Sequence, residues 1–392
     1  MYARKGAFTL MTLHKTGILC ALLLGSALTG RPQEASAEAG QPSLDPAPKS
    51  YWQRVQWHGL MDANYNWNFN DPVSKTNTYH IFNYRANTGD INYGEIAIET
   101  PVEPIGFRAD FGFGRTTQFV HGGEQAGRAF RYIQQAYLSA RPIRNSELQV
   151  DFGKFVTSAG AELIETHENW NYSRSLLFSW AIPFYHFGLR TAIPVHKNYT
   201  AGFQLVQGWN NIEDANRAKT FGLTGAYSKG KVTWFHNYYV GREKEDIGGV
   251  SQPGLRNLFD TTVLVTPTAR TAFYVNFDIG SDKRVGPGSD RWYGIAGAAR
   301  FALTNRLALA PRLEWFKDRD GFATGTPQSL KEVTLTGEYR LWGGNGNSVL
   351  SRVEYRRDWS SEAVFEGGPG RPDRRNQNTM LVGLIFTFSL GT

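Results

Sequence analysis

From Arg54 the chain alternates. Val55, Trp57, Gly59, Met61, Ala63, Tyr65 and Trp67 fall on one parity, and Gln56, His58, Leu60, Asp62, Asn64 and Asn66 on the other. A period of two sustained this long describes a β-strand with one apolar face and one polar face. Soluble strands usually run about five or six residues, whereas a tilted strand needs roughly 9–11 to cross a bilayer. The polar parity is rich in Asn, Asp, His and Gln, side chains that belong in water. Few folds accept a strand that is dry on one side, wet on the other and long enough to span a membrane.

The same pattern recurs, giving sixteen predicted strands at 54–68, 91–100, 105–117, 129–140, 147–156, 184–194, 198–209, 218–228, 231–242, 258–266, 270–281, 290–302, 305–317, 331–342, 347–359 and 378–389. The connections between them measure 22, 4, 11, 6, 27, 3, 8, 2, 15, 3, 8, 2, 13, 4 and 18 residues. Long and short alternate without exception. A soluble sandwich has no reason to keep its long connections at one end. An outer-membrane barrel does, because its periplasmic turns are short and its extracellular loops long. The sequence therefore predicts an all-β fold: a transmembrane antiparallel β-barrel of about 16 strands over residues 54–392. No segment has helical periodicity, so no helix is expected. Trp67, Trp209, Tyr238, Trp315 and Trp359 fall near the outer strand ends on apolar parity, with Trp57 and Phe388 at the other rim. Tyr and Trp favour the membrane interface, where one end of the ring is dry and the other wet. Trp342 lies at that inner rim on the polar parity and is left out of the belt.

The N-terminus reads as an address. Arg4, Lys5 and Lys15 precede the apolar run Gly17–Leu28, and Ala35-Ser36-Ala37 offers a cleavage site, so residues 1–37 are expected to be a cleaved signal peptide. Residues 38–53 read as a Pro-containing periplasmic leader. The single cysteine, Cys20, excludes a disulfide scaffold, and it follows Leu19 where a lipoprotein signal wants a small residue. Residues 1–37 carry Arg4, Lys5, Lys15 and Arg31 against Glu34, so the formal charge of +7 falls to +4 on their removal. The basic pairs Arg356-Arg357 and Arg374-Arg375 are too short for a nucleic-acid patch. No nucleic-acid partner is expected.

Charge on the inward parity is more telling. Arg108, Arg190, Arg312, Arg340, Arg352 and Arg356 share that face with Asp62, Glu95, Asp110, Asp260, Glu314 and Glu332. Burying so many ions without water would cost several kcal/mol each, and barrels of about sixteen strands enclose an aqueous channel. The interior is expected to be wet. The connection 157–183 combines Glu162, Glu165, Glu168 and Arg174 with Trp170, Tyr172, Leu176, Leu177, Phe178 and Trp180. So apolar a loop would be a liability in solvent. Folded into the lumen, it would narrow the pore and set its acids against wall arginines. The predicted constriction therefore comprises Glu162, Glu165, Glu168, Arg174, Arg108, Arg190, Arg312, Arg340, Arg352 and Arg356. A lid over the mouth or a contact with a neighbouring subunit would also cover the loop.

Catalytic signals are missing. There is no G-x-S-x-G elbow, H-E-x-x-H or P-loop. Glu165-Thr166-His167-Glu168 has no second histidine at ligand spacing and reads as solvated loop. No catalytic residue, cofactor or metal is predicted.

Three blocks carry a family resemblance: Gly153-Lys154-Phe155-Val156-Thr157-Ser158-Ala159-Gly160-Ala161-Glu162, then Asn169-Trp170-Asn171-Tyr172-Ser173-Arg174-Ser175, then Pro183-Phe184-Tyr185-His186-Phe187-Gly188. The chain here resembles the β-barrel porins of the OmpL-like type, and the likeness extends more loosely from Gly59 to Phe388. It implies an outer-membrane pore of undefined substrate and supplies no catalytic residues. The expected function is passive diffusion of small hydrophilic solutes or ions, with outer-membrane lipid as surroundings and a homo-oligomer compatible with the sequence. A substrate-selective channel, or a barrel serving as platform for an adhesin or hydrolase, remains open at this point.

Overall fold

The computed structural model describes residues 50–391 except 125–126, 214–217, 248–249, 284–287, 345 and 369–370. The expected signal peptide and the leader up to residue 49 lie outside the described residues. The end of the leader, Tyr51–Arg54, forms one 3₁₀ turn. Strands then follow as β1 (Gln56–Asn68), β2 (Thr88–Glu99), β3 (Ile105–Phe113), β4 (Ile133–Ala140), β5 (Gln149–Val156), β6 (Tyr185–His196), β7 (Tyr199–Val206), β8 (Thr220–Lys229), β9 (Val232–Ile247), β10 (Val250–Thr268), β11 (Thr271–Lys283), β12 (Asp290–Ala302), β13 (Leu307–Asp318), β14 (Gln328–Gly344), β15 (Asn347–Ser360), β16 (Phe365–Glu366), β17 (Pro372–Arg374) and β18 (Asn376–Leu390).

All but β16 and β17 close into one antiparallel barrel, each strand beside its sequence neighbour and β18 between β15 and β1. The seam runs in register from Trp57↔Leu390 to Asn68↔Thr379. Closure leaves no unpaired edge, the condition for a β-structure in lipid. The short strands β16 and β17 pair as a hairpin within the last outer loop. Along β13, Leu313 faces out while Arg312 and Glu314 are buried, as alternation requires.

Three local expectations are corrected. The third strand stops at Phe113, not 117, and the chain turns into a short helix, α1 (Arg115–Val120), whose first residue pairs with Asp90 at 2.7 Å. The seventh strand ends at Val206, so Trp209 leaves the sheet and turns inward. It packs edge-on against Trp292 at 6.3 Å, beneath the Arg256 guanidinium. Trp342 does belong to the inner aromatic rim. The β14–β15 register slips between Arg340 and Trp342, and this bulge moves Trp342 opposite Val349 on the outer face, 53 % exposed.

Candidate functional site

The connection after β5 folds into the barrel. It leaves at Val156, makes a 3₁₀ turn at Thr166–Glu168 and a π-helical turn at Leu177–Ala181, and rejoins the wall at Tyr185. Tyr172, Leu176, Leu177, Phe178, Ala181 and Ile182 are all buried. They form one cluster with Trp292 and Phe316 of the wall and with Phe82 from the loop after β1. Fully burying a side chain of this size contributes about 1.5–3 kcal/mol, which explains why so apolar a segment is inside. Two wall glycines let it come close. A Cβ on Gly294 would stand 2.7 Å from Leu177, and one on Gly383 2.5 Å from the Tyr172 ring. The cluster packs into the lumen along the β10–β18 side and reaches Tyr93, Tyr185 and Tyr239 on the opposite wall.

Charged wall side chains hold the loop by its backbone. Arg352 donates to the carbonyls of Thr166 (2.8 Å), Asn169 (2.5 Å) and Asn171 (3.1 Å). Arg312 donates to Ser173 O at 2.7 Å and Arg356 to Arg174 O at 2.7 Å. Acids receive the amides. Glu314 accepts from Leu176 and Leu177, Glu354 from Tyr172 and Ser173, and Asp260 from Gly160. A loop without regular structure has backbone groups that need partners once buried. The lumen charges supply them. The expectation of a wet interior is therefore corrected on this side, where the charged groups are buried beneath the loop and several of them are hydrogen-bonded to its backbone.

The ten residues expected at a constriction separate into distinct environments. Glu162 meets Arg312 at 2.6 Å, and its carboxylate also accepts the Ser175 amide at 2.6 Å. Arg312, Arg352 and Arg356 are 0–1 % exposed and lie behind the loop rather than across a passage from it. Arg174 does not reach the wall acids. It turns back to the carbonyls of Leu163, Ile164 and Tyr172 and stacks on Phe82 at 4.6 Å. Arg340 lies near the inner end of β14, beside the β14–β15 turn. The remaining four, Glu165, Glu168, Arg108 and Arg190, line a shared cavity of about 450 Å³.

That cavity occupies the other side of the lumen, against β1–β9 and the end of β18. Its roof is the first part of the loop: Thr157, Ser158, Leu163, Glu165, His167 and Glu168. One wall carries charge. Arg108 is held by Asp110 (2.9 Å) and Glu99 (3.2 Å), and Arg190 by Asp151 (2.7 Å). Arg190 also lies over the rings of Tyr137 and Phe155. The facing wall is neutral and hydrogen-bonding, with Thr200, Gln204, Thr224 and Asn237. Five acids line the cavity (Glu95, Glu99, Asp151, Glu165 and Glu168) against Arg108 and Arg190, so its surface is net acidic.

Sequence reasoning did not foresee one grouping. The carboxylates of Glu95, Asp110 and Glu165 lie within 4.8 Å of one another, brought together from β2, β3 and the loop. Tyr93 donates to Glu95 at 2.5 Å, and Gln135 to Asp110 at 2.6 Å. No linear spacing signals such a meeting, since each member sits on a different element. Burial, together with the nearby Asp110 carboxylate, raises the pKa of Glu165 above the usual range. Burial works the same way on Glu168, but the His167 hydrogen bond and the charges of His167, Arg108 and Arg352 outweigh it and lower its pKa.

A closed sixteen-strand barrel with a loop folded into a charged lumen defines an outer-membrane diffusion channel. The family model described as "Putative beta-barrel porin-2, OmpL-like" matches residues 54–388, and the chain belongs to that family. No curated protein sequence matches it. Among solved structures it is similar in fold to OmpT of Vibrio cholerae, at 12% identity and TM-score 0.57, covering 85% of this chain and 97% of that one. It is also similar to the anion-selective porin from Comamonas acidovorans (11% identity, TM-score 0.55, 85% and 99% covered). A third is Salmonella typhi OmpF, solved in complex with daunomycin (12% identity, TM-score 0.56, 86% and 99% covered).

Proposed function

We propose that small hydrophilic solutes cross by the eccentric route between the inserted loop and strands β1–β9, and that this route favours cations. The carrying observation is the 450 Å³ cavity with its acidic surplus. Its two arginines are each engaged by acids, whereas Glu165 and Glu168 stand on the loop at the roof, where a passing ion must come close. A low-dielectric wall around one sign of charge concentrates the opposite ion. Glu162, Arg312, Arg352 and Arg356 serve differently, as fixings that keep the loop in place. Transport here is passive and the chain is not an enzyme. Removal of residues 1–37 on export completes the reading, and assembly into oligomers is compatible with it.

Planar-bilayer recording tests the proposal. The expected result is stepwise current with a reversal potential on the cation side in a salt gradient. An adhesin or hydrolase platform gives no steps, and a substrate-selective channel gives current that its ligand blocks saturably.

A further inference from the structure

The outer wall carries a feature unconnected with conduction. Lys283, Arg291, Lys317, Lys331 and Arg357 stand one on each of the consecutive strands β11 to β15, all on outward parity and within four residues of the strand's outer end. The register makes them a line. Ser281 pairs Arg291, Tyr293 pairs Lys317, Trp315 pairs Lys331 and Val333 pairs Arg357, so the basic residue shifts by two positions at each strand. In a barrel whose strands tilt, such a diagonal follows the membrane rim. Among the described residues, the outward positions of these five strands include no Asp or Glu. The lumen face of the same strands is full of acids, so the exclusion is specific to the outside.

Directly inside this line lies an apolar groove of about 680 Å³. Val275, Ile295, Leu313, Val333, Trp315 and Trp359 line it, with Lys331 at its edge. A Cβ on Gly297 would meet only Tyr274 O, at 3.8 Å, so the missing side chain deepens the groove. Arg357 lies over the Trp359 ring at 4.8 Å, and its buried Nε has no hydrogen-bond partner. Basic heads above an apolar trough match one kind of occupant.

We propose that this face binds the phosphorylated headgroup of an outer-leaflet lipid, with acyl chain in the groove beneath. Lys and Arg clusters at a membrane surface select anionic headgroups, and guanidinium matches phosphate in bidentate fashion. The aromatic pair Trp315 and Trp359 sits at the boundary between head and chain, where such rings are favoured. A second copy of the same face would bring like charges together, which argues for lipid over a two-fold subunit contact.

Full-length barrel in neutral detergent is titrated with diphosphorylated lipid A, and bound lipid is counted by native mass spectrometry. Saturable binding is expected, weakening as salt rises because the contacts are partly exposed. Removing a surface basic charge weakens anionic-lipid binding by roughly fivefold, so Lys331→Gln with Arg357→Gln should lose about 25-fold. Gly297→Trp fills the groove and should also weaken binding with every charge in place. Inorganic phosphate at millimolar concentration should not displace the lipid. Unchanged single-channel current in these variants verifies folding and keeps the result separate from the channel reading. The wild-type salt series stands even if a variant fails to insert. Equal affinity of wild type and variants, indifference to salt, or displacement by phosphate alone overturns the proposal. So does a change in oligomer mass with lipid binding intact, which would make the face a subunit contact.

Discussion

Arg312 stands between two carboxylates, with Nη1 2.6 Å from Glu162 of the loop and Nε 2.8 Å from Glu332 of the wall. All three side chains are at most 4 % exposed. The arrangement is unequal in its consequences. Arg312→Met would leave two buried acids facing each other, with Arg356 at 3.3 Å from Glu332 as remaining cation. Removing one partner of a buried pair costs about 3–5 kcal/mol. Glu162→Gln leaves Arg312 with Glu332 and Ser173 O, and should cost only about 1–3 kcal/mol. Denaturant midpoints of the barrel refolded in vesicles check the order. Equal losses would mean that Glu162 and Arg312 do not act as described.

Selectivity should reside in Glu165 and Glu168, not in Glu162. Glu165→Gln with Glu168→Gln is expected to move the reversal potential toward anions, more at 0.01 M salt, where screening reaches roughly 30 Å, than at 1 M, where it reaches about 3 Å. Glu162→Gln should leave it in place. Acidification adds a second readout. The Glu165 carboxyl titrates above its ordinary range because of burial and Asp110, whereas His167 and the arginines hold Glu168 below it. Cation preference should therefore weaken in two stages as pH falls, Glu165 first. Reversal potentials across a pH series decide it, and Glu165→Gln should abolish the earlier stage alone.

The loop after β1 should loosen in mild acid. His80 is buried, with Nε2 2.9 Å from Asp358. Burial and the neighbouring Arg356 lower its pKa below 6.5, against the pull of Asp358, so the contact is a hydrogen bond of neutral imidazole. The unfolded segment then binds a proton that the docked one does not. Stability is present above pH 6.5 and declines as pH falls below it. Protection factors over residues 69–87, that is, exchange rates compared with the intrinsic amide rate at each pH, should fall between pH 6.5 and 5, and His80→Gln should flatten that dependence.

How much of this was legible in the sequence depends on the range of the interaction. Strand number, closure and the inward fold of the loop follow from period-two alternation, connection lengths and the apolar content around Trp170–Trp180. These signals are local. Trp342 was misplaced because a bulge resets parity without any mark in composition, and Trp209 because a strand end depends on pairing partners far along the chain. The lining of the lumen was half legible. Its residue types and faces could be read, but which wall the loop lies against could not. That choice rests on contacts such as Arg352 with Asn169 and Leu177 beside Gly294, whose members are remote in sequence. It is also what separates Glu165 from Glu162, three residues apart on one loop.

The loop's lodging against β10–β18 makes a prediction that parity alone would miss. Leu335 faces lipid and is 49 % exposed on the outer wall. Arg there should cost roughly 2–4 kcal/mol, as for other charges placed at the bilayer midplane. Its neighbour Thr334 points inward, where a water-filled lumen would accept an arginine. In this barrel Thr334 is fully buried and donates to Glu332, so Thr334→Arg must displace the loop or strain the wall. Thr224 also points inward, but into the cavity on the other side. Thr224→Arg should leave stability within about 0.5 kcal/mol, as for a substitution in solvent, while reducing current by narrowing the route and adding positive charge. Refolding midpoints should therefore rank Thr224→Arg close to wild type, with Leu335→Arg and Thr334→Arg both well below. If Thr334→Arg were tolerated as well as Thr224→Arg, the β14 side of the lumen would be open, and the loop would lie elsewhere in the membrane-inserted protein.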